Sequence, residues 1–177
     1  MPKDLADTPT DTLRLRRPDP RDGADIWNLI KECQPLDQNS MYANLIQADH
    51  FRDTCVVAEY EGEIAGWVSG HIIPESNELF VWQVAVGPDA RGLGLGKKML
   101  LKLLARDACE DAAALKTTIT RDNAASWALF KSLARAVGGE MDDAPHFERR
   151  AHFDGQHATE HMVTITLPTR RVLRRVA

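Results

Sequence analysis

Leu79-Phe80-Val81-Trp82-Gln83-Val84-Ala85-Val86, closed by Gly87-Pro88 and followed by Arg91-Gly92-Leu93-Gly94-Leu95-Gly96, is the segment on which the fold turns. Its first eight residues are apolar enough for a central strand. Beyond the glycines, Met99, Leu100, Leu103, Leu104 and Ala108 fall at helical spacing. A strand that enters a helix through a glycine-rich turn leaves several backbone N–H groups unpaired at the positive end of the helix dipole, a cradle for a pyrophosphate. Glycines permit positive φ and close approach of an anion to the backbone, and Arg91, Lys97 and Lys98 add positive charge. Gly92, Gly94 and Gly96 are spaced G-x-G-x-G, which is neither the G-x-G-x-x-G of a dinucleotide site nor the G-x-x-x-x-G-K-[ST] of a nucleotide P-loop. With Arg91 they make R-x-x-G-x-G; the competing reading is a plain helix N-terminus with a flexible lead.

Upstream of this segment, Cys55 to Ala58 and Ile64 to Ile73 read as two antiparallel strands joined by a turn at Glu61-Gly62, a meander leading into the central strand. Further back, Leu13-Arg14-Leu15-Arg16 alternates as a short strand stopped by Pro18 and Pro20. Asp22 then stands where it can cap a helix carrying Ile26, Trp27, Leu29 and Ile30. A polar break from Pro35 to Ser40 precedes a second short helix at Met41 to Ile46. Downstream, Leu115 to Thr120 reads as a strand, Asn123 to Ala136 as a helix, and Met162 to Leu167 as a last strand ended by Pro168. This order predicts a mixed α/β (α+β) sheet rather than a purely parallel one.

The 177 residues make one domain, assigned to 13–167, between a polar, flexible arm at 1–12 and a basic tail at 168–177. Net charge is -4, but the tail holds Arg170, Arg171, Arg174 and Arg175; without them 18 basic residues face 26 acidic ones. An acidic body argues against nucleic-acid binding, which rests on basic side chains displacing counterions. No segment approaches the ~20 apolar residues of a membrane span and the N-terminus lacks a signal-peptide run, so a cytoplasmic protein with no membrane partner is expected. Cys33, Cys55 and Cys109 are odd in number and widely spaced, as in ordinary thiols of a reducing compartment.

Val84-Ala85-Val86, the R-x-x-G-x-G element and Asn123 heading a helix through Ser126 and Phe130 together resemble the GNAT superfamily of acetyl-CoA-dependent N-acetyltransferases, over roughly 13–167. The resemblance implies an acyl-CoA N-acyltransferase fold, with a mostly antiparallel central sheet flanked by helices. It implies acetyl-CoA as co-substrate, its pyrophosphate on the amides from Arg91 through Gly92, Leu93, Gly94, Leu95 and Gly96 to Lys97. Val84 and Val86 would hold the thioester through the main chain, Asn123 would face the pantetheine arm, and Ser126 and Phe130 would complete the cofactor contacts. Where many members carry a Tyr general acid, this chain has Phe130, which donates no proton; either the thiolate leaves unassisted, a thiol with pKa about 8.5 being a fair leaving group, or water or another side chain assists.

Pro35-Leu36-Asp37-Gln38-Asn39-Ser40-Met41-Tyr42, His50 to Cys55 and Phe80 to Val84 resemble, within that superfamily, the L-2,4-diaminobutyrate acetyltransferases of ectoine biosynthesis. The substrate then has two amines and a carboxylate, and its pocket needs acceptors for ammonium and a donor for carboxylate. Asp37 is the expected ammonium holder, Asn39 and Tyr42 its neutral partners, and Trp82 a wall or cation–π surface. Against this stand plainer roles: Asp37, Asn39 or Ser40 as a helix cap, Tyr42 and Trp82 as core.

His157-Ala158-Thr159-Glu160-His161 matches H-x-x-E-H, a zinc-hydrolase pattern when helical. Gly155 before it and the β-rich run after it make an extended segment the expectation, in which Glu160 and His161 point to opposite sides. No metal is expected. Glu160 is instead a candidate substrate contact and, with Asp37, a candidate proton acceptor, the resemblance also favouring it as a contact. A homodimer is expected from the resemblance. Another small amine, a protein N-terminus, or a non-catalytic acyl-CoA-binding role remain as alternatives.

Overall fold

The computed structural model describes residues 13–168; the arm at 1–12 and the tail arginines lie outside the described residues. Seven strands form one sheet: β1 (Arg14–Arg16), β2 (Val56–Tyr60), β3 (Glu63–Ile72), β4 (Leu79–Val86), β5 (Ala114–Thr120), β6 (Met141–Phe147) and β7 (Glu160–Thr166), in the order β1-β2-β3-β4-β5-β7-β6. Neighbours are antiparallel except β4 and β5, which are parallel. Four helices cover it: α1 (Gly23–Glu32), α2 (Met41–His50), α3 (Leu95–Leu104) and α4 (Ala124–Val137).

Each face of the sheet has its own core. Leu95, Met99, Leu100 and Leu103 of α3 and Phe130, Leu133 and Val137 of α4 pack with Val56, Ala58, Val68, Leu79, Val81, Leu115, Ile119, Val163 and Ile165. On the other face Ile26, Leu29 and Ile30 of α1 and Ala48 of α2 pack with Cys55, Val57, Trp67 and Ala85. The strands β2 and β3 divide their side chains between the two faces by the period of two that strand geometry dictates, apart from a register shift where Ala58 pairs with Gly66 and Glu59 with Ile64.

β4 breaks that period. Ser69 pairs with Gln83 and Gly70 with Val81, so Trp82 is a surplus residue, a β-bulge. Leu79 and Val81 therefore face α3 and α4, whereas Ala85, of the same parity, faces α1. The bulge also turns Gln83 toward the α1–α2 connection.

β4 and β5 separate soon after they meet. They pair at Leu79 with Leu115 and Phe80 with Lys116, then continue to Val86 and Thr120 without further pairing. At the end of β4 the N–H of Gly87 donates to Ala65 O at 2.9 Å, toward β3. Strand alternation then aims the N–H groups of Val84 and Val86 the other way, into the gap between β4 and β5.

Two features differ from the sequence reading. Asp22 sits at the N-cap position of α1 but makes no side-chain cap; its carboxylate takes Arg16 at 2.7 and 2.9 Å and the N–H of Asp19 at 2.7 Å. A bidentate, charge-assisted pair is stronger than one cap bond. β6, Met-Asp-Asp-Ala-Pro-His-Phe, lacks apolar alternation and contains Pro145, so it does not read as a strand; it forms at the sheet edge, where a proline is tolerated.

α4 ends at Gly138 (φ 70°), and the N–H of Gly139 returns to Ala134 O at 2.9 Å. A Cβ on Gly139 would lie 2.1 Å from the carbonyl oxygen of Thr166 in β7. Gly139→Ala is expected to destabilise by about 3 kcal/mol or more, since backbone forms the obstacle. Gly138→Ala, strained but in open space, is expected to lose about 1 kcal/mol. Urea denaturation of the two variants measures both.

Candidate active site

The end of β4, the glycine turn and the start of α3 form the first half of the site. Gly92 and Gly94 have φ of 80° and 69°, and an added Cβ at either would meet no protein atom within 4 Å, so glycine is required there by backbone conformation rather than by crowding. Gly94 is the N-cap of α3 and offers no side chain, which leaves the first-turn N–H groups of Leu95, Gly96 and Lys97 for an external acceptor. These amides and those of Val84 and Val86 are donors along one gap, and that arrangement fits a long anionic thioester.

The side chains expected at this cradle divide. Arg91 is exposed, its Nε donating to Val86 O at 3.3 Å, and Leu93 is 64% exposed. Leu95 is buried in the core, so its backbone alone faces the cradle. Lys97 donates to Ser132 Oγ of α4 at 3.2 Å, and Lys98 is exposed. Asn123 caps α4, its Oδ1 accepting from the N–H of Ser126 at 3.0 Å. Phe130 departs from expectation: it is 2% exposed and lies inside the α3–α4 core. A phenyl ring without a hydroxyl to satisfy is most stable there, and it presents no surface to a ligand in this arrangement.

The second half lies on the opposite face. Gln83, nearly buried, donates through Nε2 to Asp37 O at 2.6 Å and accepts through Oε1 from Asn39 Nδ2 at 3.1 Å. The indole N–H of Trp27 adds a bond to Asn39 O at 3.1 Å. The helix cap is supplied by Ser40, whose Oγ accepts from the N–H of Ala43 at 3.2 Å, so neither Asp37 nor Asn39 serves as that cap. Tyr42 and Trp82 are 71% and 52% exposed and are not core residues.

The carboxylate of Asp37 projects to 3.9 Å from Nε2 of His157, and Oε1 of Glu160 reaches the same nitrogen at 3.9 Å. Nδ1 of His157 is 2.8 Å from Ala158 O, and Nε2 faces the two acids. The Phe153 ring lies 4.7 Å from that imidazole. Glu160 is on β7 with Oε2 buried and without a hydrogen-bond partner. Burial, the largest influence, raises its pKa; His157 opposes the rise, and Asp37 and Asp122 add to it. The H-x-x-E-H segment is not helical: His157 lies in a bend, β7 begins at Glu160, and His161 turns toward Asp143 at 3.3 Å. Among the described residues no group of three or more His, Cys, Asp or Glu is placed to hold a metal ion.

Sequence reasoning missed Gln83 and His157 as site residues. Gln83 reads as one polar residue in an apolar strand, and nothing in the sequence marks the bulge that orients it. His157 was visible as part of a metal motif, and setting the metal aside also set the imidazole aside.

Strands that part beside a glycine-opened helix, with donors in the gap and acids across it, define an acyl-CoA-dependent N-acyltransferase fold. The chain belongs to the acetyltransferase (GNAT) family, which it matches over residues 23–134. It is 48% identical over 154 residues, 86% of its length and 89% of the relative's, to an L-2,4-diaminobutyric acid acetyltransferase of Vibrio cholerae. To that of Methylotuvimicrobium alcaliphilum it is 46% identical, covering 86% and 90% of the two chains. Among solved structures it is similar to the diaminobutyrate acetyltransferase of Paenibacillus lautus, in complex with L-2,4-diaminobutyric acid and coenzyme A, with a TM-score of 0.84, 35% identity and coverage of 89% and 96%.

Gly94→Val is expected to lose about 1–2 kcal/mol of stability from the left-handed backbone and to weaken coenzyme A binding on the order of tenfold, measured by titration calorimetry. Gln83→Leu should instead raise KM for the amine while leaving KM for acetyl-CoA within about twofold, because it releases the Asp37–Asn39 segment and not the cradle.

Proposed function

We propose that this protein transfers the acetyl group of acetyl-CoA to the γ-amine of L-2,4-diaminobutyrate, giving N4-acetyl-L-2,4-diaminobutyrate, a step of ectoine (compatible solute) biosynthesis and hence of osmoprotection. The observation that carries the reading is the convergence of Asp37, His157 and Glu160 across the sheet from the amide-lined gap. The similarity to diaminobutyrate acetyltransferases over most of the chain supports the choice of amine.

The mechanism is direct attack in a ternary complex. The amine nitrogen bonds to the thioester carbonyl carbon, the C–S bond breaks, and coenzyme A leaves as a thiolate that takes up the proton shed by the acylated nitrogen. Binding both reactants together supplies the entropic advantage, and the N–H groups of Val84 and Val86 stabilise the developing oxyanion. An alkylammonium with pKa about 10.4 must lose a proton first, and Glu160, assisted by His157 and Asp37, accepts it. Burial makes Glu160 a better base than an exposed carboxylate. A covalent route through Cys55 or Cys109 is not favoured: burial pushes the Cys55 thiol up to about 12 and that of Cys109 to about 11, so neither supplies a thiolate. Asn39, Tyr42 and Trp82 complete the amine side of this reading, and Arg91, Lys97, Lys98, Asn123 and Ser126 border the cofactor side. Phe130 contributes packing.

The reading includes a cytoplasmic homodimer acting on small molecules, without nucleic acid or membrane. Free, buried thiols at all three cysteines support a reducing compartment. The exposed edge strand β6, with Phe147, supports contact with a second copy. No helix of the described residues is long and apolar enough to cross a membrane.

Mass spectrometry after incubation with 2,4-diaminobutyrate and acetyl-CoA should show the monoacetylated product; binding of coenzyme A without product from any amine would point to a regulator. Asp37→Ala should raise KM for the diamine about tenfold, with KM for acetyl-CoA unchanged. Glu160→Gln should lower kcat by about a hundredfold. Because Glu160 has a raised pKa in the folded protein, its stabilising contribution is present at low pH and is lost as pH rises through that value. Glu160→Gln should therefore leave Tm at pH 7–8 equal or higher, and wild-type kcat should rise with pH as the carboxylate ionises.

A further inference from the structure

Phe147 of β6 stands opposite Glu160 of β7 in the ladder, and residues 148–159 connect the two strands without helix or strand of their own. A connection of this length keeps one shape when its own groups close it. Arg149 supplies much of that closure. Its N–H donates to Thr159 Oγ1 at 3.1 Å, its carbonyl oxygen accepts from the N–H of Gly155 at 2.7 Å, and its Nε donates to Gly155 O at 3.0 Å. Gly155 has a φ of 79°, the left-handed backbone that lets the chain double back and meet Arg149 twice.

Gly155 and Thr159, the two residues tied to Arg149, bracket His157. The Phe153 ring backs the imidazole at 4.7 Å and is itself 6.4 Å from the Phe147 ring of β6. Nε2 of His157 is 3.9 Å from both Asp37 Oδ2 and Glu160 Oε1, too far for a hydrogen bond to either. The acids therefore do not fix the ring by direct bonding; the connection that carries it must. The Arg149 guanidinium is exposed and, among the described residues, forms no ion pair, so it serves as a tie rather than as a partner of the acids.

We propose that Arg149 and Thr159 are positioning residues that pin the chain on both sides of His157 and so hold its imidazole between Asp37 and Glu160. The inference rests on the proposed function, in which Glu160 accepts the amine's proton. The groups that act on Glu160 are its burial, Asp37 and Asp122, which raise its pKa, and His157 and Thr118, which lower it. A released imidazole would remove one of the two lowering influences and leave the rest in place.

The experiment follows kcat and its pH profile in two variants that each cut one tie. Arg149→Met removes the Nε bond, and Thr159→Val removes the acceptor of the Arg149 N–H without changing charge. In both, kcat with 2,4-diaminobutyrate should fall on the order of tenfold, the scale of a misplaced catalytic group. KM for acetyl-CoA should stay within about twofold of wild type, and the acid limb of the kcat profile should move to higher pH. Arg150→Met, which removes a neighbouring exposed cation outside these ties, should keep the wild-type rate and profile. If one tie variant does not fold, the other makes the comparison. A wild-type profile in the tie variants, with or without a loss of rate, would overturn the positioning role, and so would an equal shift in Arg150→Met, which would make the effect one of charge alone. These outcomes leave the acetyltransferase reading intact. Wild type that acetylates no amine would overturn that reading, and this inference with it.

Discussion

β4 carries one residue more than β3 can pair with, and the surplus at Trp82 sets the geometry around it. Before the bulge, Leu79 and Val81 anchor the strand in the α3–α4 core. After it, Ala85 joins the α1 core, Gln83 reaches the α1–α2 connection, and Val84 and Val86 aim their N–H groups into the gap beside β5. One strand thereby holds both halves of the site. A shift in its register would misplace Gln83 with the Asp37 segment it holds and the N–H groups of Val84 and Val86 together, because successive residues of one strand carry them.

The gap also lets ligands of opposite charge meet. In the proposed function a polyanionic cofactor would be served by backbone amides at the start of α3 and the end of β4, which carry partial positive charge without long cationic side chains. A cationic amine would be served by carboxylates on the other face. Lys97, turned toward Ser132, and Arg91, bonded to Val86 O, are in part structural groups of the cradle's frame. The sheet would keep the acids away from the cofactor's phosphates, and the parting of β4 and β5 opens a gap between the faces.

Much of the architecture was legible. The apolar run of β4, the glycine spacing, the meander before it and the helical periodicity of α3 and α4 are local patterns, and the elements form close to where those patterns put them, except that α3 stops at Leu104 and Ala108 falls in a separate 3-10 turn. Asp22 was misread because its partner, Arg16, is a tertiary neighbour that outcompetes a local cap. β6 was unread because an edge strand exposed on both faces needs no apolar alternation. Asp37, Asn39 and Glu160 could be nominated by residue type, but whether they cap helices, face solvent or share a site is a matter of three-dimensional placement. Gln83 and His157 had no local signature of their roles.

By itself the sequence determined the sheet-and-helix order, the positive-φ glycines of the turn and the stock of acids and amides, since these follow from side-chain periodicity and from what each residue's backbone can adopt. The tertiary structure alone decided that Phe130 is core, that Trp82 is surplus to its ladder, that Gln83 ties the Asp37 segment to β4, and that Asp37 and Glu160 share one imidazole. Those outcomes depend on pairing register and burial between segments far apart in the chain. Such terms arise when the strands and helices pack, and no window of sequence contains both partners.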